Sequence, residues 1–261
     1  IPHLLREIGI QREHTFRAVG EGSGLSCDLD NFDLTYTHLI MWDSKANRLA
    51  GAYRMGRTDK ILDSAGAKGI YNSLFFRFNK KILQVMRRGL EMGRAFICKD
   101  YQRHPASLDT LWMGIGHYLA RHPEYRYLYG TVSISGEYTP ASRALMLSYL
   151  KAHCMNEELT GDVKALYPPE GIELLSEDAR LVPTALAELR LLTGLVADLE
   201  PDNKSIPVLL RQYLRLGGKM LSFGVDNDFG GTLDCLVLVD MAQAPQRILD
   251  RYCGKDYARP I

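Results

Sequence analysis

The sequence lacks the signals that would settle its class at once. No stretch approaches the ~20 consecutive apolar residues of a membrane-spanning helix, and no basic segment followed by an apolar run opens the chain. Neither sign of charge dominates, with 32 Lys and Arg against 31 Asp and Glu. A chain without a global field has no means of holding nucleic acid or an anionic bilayer except through a local patch, which argues against a DNA-binding protein. The five cysteines (Cys27, Cys98, Cys154, Cys235, Cys253) are far apart and form no C-x-x-C pair, so neither a disulfide framework nor a zinc site is read from them. A reducing cytoplasm is the expected compartment. H-E-x-x-H and G-x-S-x-G are both missing, which leaves zinc-hydrolase and serine-hydrolase readings without support. Ile1 stands where an initiator methionine would, so a longer polypeptide is one reading of this end.

What is present is an ordinary globular composition, 46% hydrophobic and 24% charged over 261 residues, enough to bury the core of one large domain. Leu4, Ile8, Phe16 and Val19 fall near helical spacing, and Gly20, Gly22 and Gly24 end that helix. The runs 37–43 (THLIMWD) and 48–56 (RLAGAYRMG), separated by SKAN, read as a hairpin. A helical stretch over about 75–88 is followed by a strand at 94–98 (RAFIC) and a helix at 107–122 with Ser107 as its N-cap. A strand at 127–135 and a helix at 139–153, with Pro140 in its first turn, come next. Residues 155–205 change character, with YPPEG breaking the chain before dense Leu and Ala at helical spacing, and read as a helical insertion in a single domain spanning 1–261. A helix at 207–218 and strands at 219–226 and 232–241 close the pattern. Strands alternating with helices after a hairpin define an α/β fold around one mixed sheet.

Several local motifs carry a bland reading. VGEGSG (19–24) follows a helix instead of a strand and reads as a flexible loop, not a phosphate loop. DNDFGG (226–231) hints at calcium, but Val237 stands where the loop needs its bidentate Glu, so it reads as a turn. His38–Asp43 and His104–Asp109 both fit H-x-x-x-x-D, which resembles the glycerolipid O-acyltransferases, as does PPEG (168–171). Residues five apart in a strand face opposite sides, and Pro105 and a helix start divide the second pair, so neither is expected to act as a dyad.

The informative feature is an ordered series of charges placed where strands and their loops should bury them: R-x-x-x-F (Arg12, Phe16), D-x-D-x-x-D (Asp28, Asp30, Asp33), H-L-x-x-W-D (from His38), G-x-Y-R (Gly51 to Arg54) and E-x-x-R (Glu91, Arg94). In that order they resemble the acyl-homoserine-lactone (autoinducer) synthases. With the closing segment 207–241, they are still more similar to the ornithine-type, hemolysin-like N-acyltransferases that make aminolipids. The resemblance implies the GNAT acyltransferase fold, a long-chain acyl thioester donor and an amino-acid amine acceptor. It also implies peripheral membrane contact through a lipid product.

Where coenzyme-A-using GNAT enzymes have a glycine-rich turn at a helix N-terminus to hold pyrophosphate, this chain reads KDYQRHPAS. That favours an acyl carrier protein thioester over acyl-coenzyme A as co-substrate; no bound cofactor or metal is implied. Lys80, Lys81, Arg87, Arg88 and Arg103 are candidates for an acidic carrier's landing patch, with Gln102 and Arg103 as its contacts, while a solvated helix face accounts equally well for the first four.

Glu91 and Arg94 differ by an odd number and would face opposite sides of a regular strand. The fold's bulge in this strand, with Gly93 the easiest place to kink, would change one parity and expose a backbone N–H as oxyanion donor, worth of the order of 10²–10³ in rate. The resemblance makes Glu91 the candidate base for the amine and Arg94 its partner. Arg94, Arg54, Asp30 and Asp33 are then an ion network that fixes Glu91 and binds the amino acid's carboxylate and ammonium, Arg12 and His38 are further substrate-binding candidates, and Tyr149 is a candidate acid for the leaving thiolate. The alternatives are autoinducer synthesis, against which the long C-terminal half argues, and a non-catalytic acyl- or carrier-binding module of a larger bifunctional acyltransferase.

Overall fold

The computed structural model describes residues 2–104, 106–172, 188–227 and 229–260. Helix α1 (Pro2–Arg17) precedes the hairpin β1 (Thr37–Asp43) and β2 (Arg48–Arg57), then α2 (Thr58–Ala65), β3 (Phe76–Phe78), α3 (Lys80–Met86) and β4 (Gly89–Ile97). Next come α4 (Ser107–Arg121), β5 (Tyr127–Ile134), α5 (Pro140–His153) and β6 (Val163–Ala165). The chain closes with α6 (Leu189–Leu199), α7 (Val208–Arg215), β7 (Lys219–Asp226), β8 (Thr232–Asp240) and α8 (Gln246–Tyr252). The main sheet is mixed, six-stranded and ordered β1-β2-β4-β5-β8-β7, and β3 pairs with β6 in a small second sheet. This is the expected α/β architecture.

Alternation along the central strands explains the layers. On β8, Leu233, Cys235, Val237 and Val239 pack with α4, α5, α6, α7 and α8, while Leu236 and Leu238 face a second cluster containing Ile61, Phe76, Ile82 and Met86. The same split places Leu128 and Val132 of β5 on one side and Tyr129 on the other. A strand with both faces covered carries apolar residues at every position, which is why β8 reads as a near-continuous hydrophobic run.

Local differences from the sequence reading have physical causes. Strand β4 begins at Gly89, well before 94, because the carboxylate of Glu91 is buried where alternation alone reads a surface charge. The stretch read as one helix over 75–88 contains β3 and α3, with the Asn79 side chain capping α3 by accepting from Lys81 N and Ile82 N. Ser107 is the first residue of α4, not its cap: its hydroxyl donates to Tyr101 O at 2.8 Å. The segment 155–205 contains a 3₁₀ turn (Thr160–Asp162), β6 and α6; the part of the helical reading that falls on 173–187 lies outside the described residues.

Two irregularities in β4 place the site. Its parallel pairing with β5 runs only from Gly89↔Tyr127 to Glu91↔Tyr129, after which the strands part. Its antiparallel register with β2 shifts between Ala52↔Phe96 and Arg54↔Gly93, which puts one extra residue on β4. That bulge sits at Arg94, whose φ is +52°, and not at Gly93, where the kink was expected. Just past the last β4–β5 pair, a Cβ on Gly130 would collide with the Met92 carbonyl oxygen, so only glycine lets the two strands stay this close before they separate. Gly130→Ala is expected to cost about 1–3 kcal/mol through overpacking, read as a lowered midpoint in urea unfolding.

Candidate active site

The D-x-D-x-x-D segment and α1 build a buried ion network. Arg12, on the inward face of α1, donates from Nε to Asp28 Oδ2 at 2.8 Å and forks onto Asp33 through Nη1 at 3.0 Å and Nη2 at 2.8 Å. Arg54, on the buried strand β2, meets Asp30 at 2.7 Å and Asp33 at 3.2 Å. Arg94 reaches Asp28 at 3.4 Å. Asp30 caps the 3₁₀ turn Asn31–Leu34, while Asp33 accepts from the Asp30 backbone N–H, so the acidic loop is fixed by its own side chains before it meets the arginines. Burial alone would raise the Asp33 carboxyl, but hydrogen bonds from Arg12 and the charges of Arg12 and Arg54 hold it well below its ordinary value.

The second centre is Glu91. It accepts from Tyr71 N at 3.0 Å, from Asn72 N at 2.7 Å, from Asn72 Nδ2 at 2.6 Å and from the Tyr36 hydroxyl. Burial pushes its pKa up against those four donors. A carboxylate so fully engaged is an anchor: it ties the Tyr71–Leu74 turn to β4, and Tyr71 in turn accepts from Arg94 Nη2 at 3.0 Å.

Between the parted strands lies a cavity of about 750 Å³. Gly93 to Ile97 of β4 and Thr131 to Ser133 of β5 form its walls, with Phe16, Phe75, Leu108, Leu111, Val208 and Leu209 adding apolar surface. Arg94 projects into it, set against the rings of Phe229 at 4.9 Å, Tyr71 at 5.4 Å and Phe16 at 5.9 Å. Its Nε is buried and finds no partner among the described residues. Glu21, Glu137, Asp226 and Asp234 also line the cavity, and Asp234 feels the charge of Arg94. Burial, with Asp234 and Glu137 nearby, pushes Glu21 up to about 7. Burial likewise lifts Asp234 to about 6, against hydrogen bonds from Ser133 and Thr232.

Of the residues expected at the site, Arg94, Gln102 and Arg103 line the cavity. Arg12, Asp30, Asp33 and Arg54 are brought together behind the cavity wall, His38 joins them through its Nε2 on Asp33 O at 3.0 Å, and the network does not reach Glu91, which is held by Tyr36, Tyr71 and Asn72. Glu91 and Tyr149 lie off the lining: Glu91 is enclosed by the groups named above, and Tyr149 is buried in α5 with its ring 5.0 Å from His153. His38 and Asp43 are apart, since Asp43 caps the hairpin turn and accepts from Tyr101; His104 borders the cavity while Asp109 is bound by Arg251 and Tyr252. The basic residues do not form one patch. Lys80, Lys81, Arg87 and Arg88 precede β4 and Arg103 follows it, a strand about 26 Å long at ~3.3 Å per residue. Lys81 and Arg87 are also paired, with Asp162 and Asp63.

The carboxylates of the cavity were missed for traceable reasons. Glu21 and Asp226 sit in the two glycine-rich segments read as plain loop and turn. Asp234 carried a usable signal, being the acidic residue inside the apolar run TLDCLVLV. The loop at 19–24 is not loose: buried Glu13 accepts from Ser23 N, Ser23 Oγ and Gly24 N, which holds Glu21 at the cavity.

Residues 11–113 match the family described as acetyltransferase (GNAT) domain. A glycine N(alpha)-acyltransferase of Bacteroides thetaiotaomicron is 31% identical over 255 residues, covering 91% of this chain and 74% of that protein. An L-ornithine N(alpha)-acyltransferase of Brucella abortus is 26% identical over 256 residues, covering 95% and 80%. A solved CoA-dependent acyl-homoserine lactone synthase aligns over 99% of this chain and 91% of its own at a TM-score of 0.44 and 10% identity. The chain belongs to the family of these N(alpha)-acyltransferases and is a GNAT-fold acyltransferase. No helix among the described residues is long and apolar enough to cross a membrane.

Removing one partner of the buried network leaves the others uncompensated. Asp33→Asn is expected to cost about 3–5 kcal/mol in chemical denaturation. Because the folded carboxyl is depressed, its contribution is complete above the ordinary aspartate value of 3.8 and drains away as the pH falls below it. The variant's deficit relative to wild type should therefore shrink in unfolding experiments taken below pH 4.

Proposed function

We propose that the protein transfers a long-chain acyl group from a carrier-bound thioester to the α-amine of an amino acid, as in aminolipid synthesis. The observation that carries this reading is the cavity in the β4–β5 opening, lined by apolar side chains and also by Arg94 and four carboxylates. An acyl chain and its pantetheine arm suit the apolar walls. An amino acid, which carries both a carboxylate and an ammonium, suits an arginine set among acids. The family supports the acceptor class, since the relatives are named for glycine and ornithine.

Arg94, which lines the cavity, is the residue for the acceptor's carboxylate through its guanidinium. Beyond Glu91 no residue of β4 pairs with β5, so the backbone of this open edge offers N–H groups to the thioester oxygen as charge develops there. Glu91 holds Tyr71 beside Arg94 and so positions the arginine without touching substrate. The ion network behind the wall does the same from the other side.

Two features favour a carrier protein over coenzyme A as donor. The turn after β4 (Lys99–Tyr101) has no glycine, and the first turn of α4 carries Asp109 where a pyrophosphate would need positive potential. Exposed Arg103 and Gln102 border the cavity, where an acidic carrier would bring its arm.

Mass spectrometry of the protein with palmitoyl-acyl carrier protein, or with palmitoyl-coenzyme A, and a pool of amino acids tests the reading. An N-acyl amino acid is expected from the carrier thioester in preference to the coenzyme A ester. Arg94→Gln should raise the KM for the amino acid ~10–100-fold, the worth of one or two charge-assisted hydrogen bonds. No acylated product from either donor would refute the proposal.

A further inference from the structure

An amino acid's amine is protonated near neutral pH and must lose a proton before it can attack a thioester. Glu91 is enclosed on the far side of β4, so the proton goes elsewhere. We infer that Asp234 of β8 is the catalytic base for the acceptor amine, with Glu21 passing the proton on to solvent. This rests on the acyl-transfer reading above.

The geometry singles out Asp234 among the four carboxylates. It is 5% exposed, lines the cavity, and stands on the strand paired with β5, directly opposite Ser133. Ser133 Oγ donates to its Oδ1 at 2.6 Å and Thr232 Oγ1 lies 3.4 Å from the same oxygen. One oxygen is thereby fixed, and Oδ2 has no hydrogen bond among the described residues. A carboxylate held by one oxygen on a rigid strand at the wall of the cavity has the form of a general base.

The groups that face it come from every neighbouring element. They are Glu21 from the loop after α1, Arg94 from β4 and Asp226 from the end of β7, while Glu137 from the turn after β5 lies beside Glu21 in the same cavity. Asp226 raises the carboxyl's proton affinity, the acids together give the ammonium its place, and Arg94 lowers that affinity. Glu21 is half-buried at the cavity's edge on a glycine-flanked loop, better placed to exchange with water than to meet the amine in fixed geometry.

The step balances. The ammonium yields one proton to Asp234, and the freed lone pair forms the N–C bond as the carbonyl π pair moves onto oxygen. Collapse restores C=O and breaks C–S, and the second proton on nitrogen goes to the departing thiolate. The products are the amide, the carrier thiol and one proton, which leaves Asp234 through Glu21.

The test is the pH dependence of kcat and kcat/KM for acylation of glycine and of ornithine from palmitoyl-acyl carrier protein. Wild type should gain activity through an acidic limb near pH 6 to 7. Asp234→Asn should lose ~100-fold or more in kcat along with that limb. Asp226→Asn removes a neighbouring negative charge that raises the carboxyl and should move the limb to lower pH. Ser133→Ala removes a hydrogen bond that favours the ionised carboxylate and should move it to higher pH. Should Asp234→Asn fail to fold, judged by its thermal transition, those opposed shifts decide. Product formation by wild type combined with near-normal kcat in Asp234→Asn, or with unmoved limbs in both neighbour variants, overturns the assignment alone. Failure of wild type to form product overturns the acyl-transfer reading and this assignment with it.

Discussion

A parallel strand pair that parts after three residues exposes backbone N–H and C=O groups that a continued ladder would have satisfied. Left buried and unmet, each would cost about 1–3 kcal/mol. The structure does not bury them. The bulge at Arg94 turns β4 away, and the space that opens remains a cavity in which water or substrate can meet the edge. The bulge itself has a cost, since a non-glycine residue at φ +52° is strained by the order of 1–2 kcal/mol. Such strain persists only where the surroundings determine the conformation more than once. Here Asp28, the Tyr71 hydroxyl and three aromatic faces all hold the same side chain.

Those holders are themselves held. Three arginines (Arg12, Arg54, Arg94) face three aspartates (Asp28, Asp30, Asp33), so the buried network is neutral as a whole. Glu91 works on the opposite flank, where four donors pin the Tyr71 turn to β4. Buried charges of this kind add little net stability beyond what packed apolar residues would give, because desolvation offsets attraction. Their contribution is geometric: four elements distant in sequence are fixed around one guanidinium.

This division explains what the sequence disclosed. The hairpin, the helices at 107 and 139 and the two closing strands follow from periodicity and turn residues, and their boundaries fall within a few residues of the reading. Arg12, Asp28, Asp33, Arg54 and Glu91 of the charged series are buried, because an acid or arginine inside an apolar run is carried inward with its neighbours and must find a partner there, while Trp42 and Asp43 of the same series stay at the surface. The series did not separate the groups that build the wall from the groups that face the cavity. Parity within one strand says nothing about which side a substrate enters, and the bulge at Arg94 is a property of strand pairing, not of the residues 91–94 alone. Glu21 and Asp226 were hidden because glycine-rich segments look featureless until their neighbours in space are known. Asp234 was legible in principle, by the same reasoning that picked out Glu91.

At the acidic end, the loops carrying Glu21, Glu137 and Asp226 meet backbone to backbone. A Cβ on Gly230 would strike the Gly20 carbonyl, and one on Gly136 would strike the Gly230 carbonyl. Each loop is thus the mould for the next. No single loop can be lengthened, shortened or given a side chain at the junction without displacing the others, so drift in loop conformation is closed off as a way to change acceptor. What stays open is exchange of the carboxylate side chains themselves on an unmoving backbone, and acceptor range across descendants of this fold should follow the identities at 21, 137 and 226 more closely than the lengths of the loops that bear them.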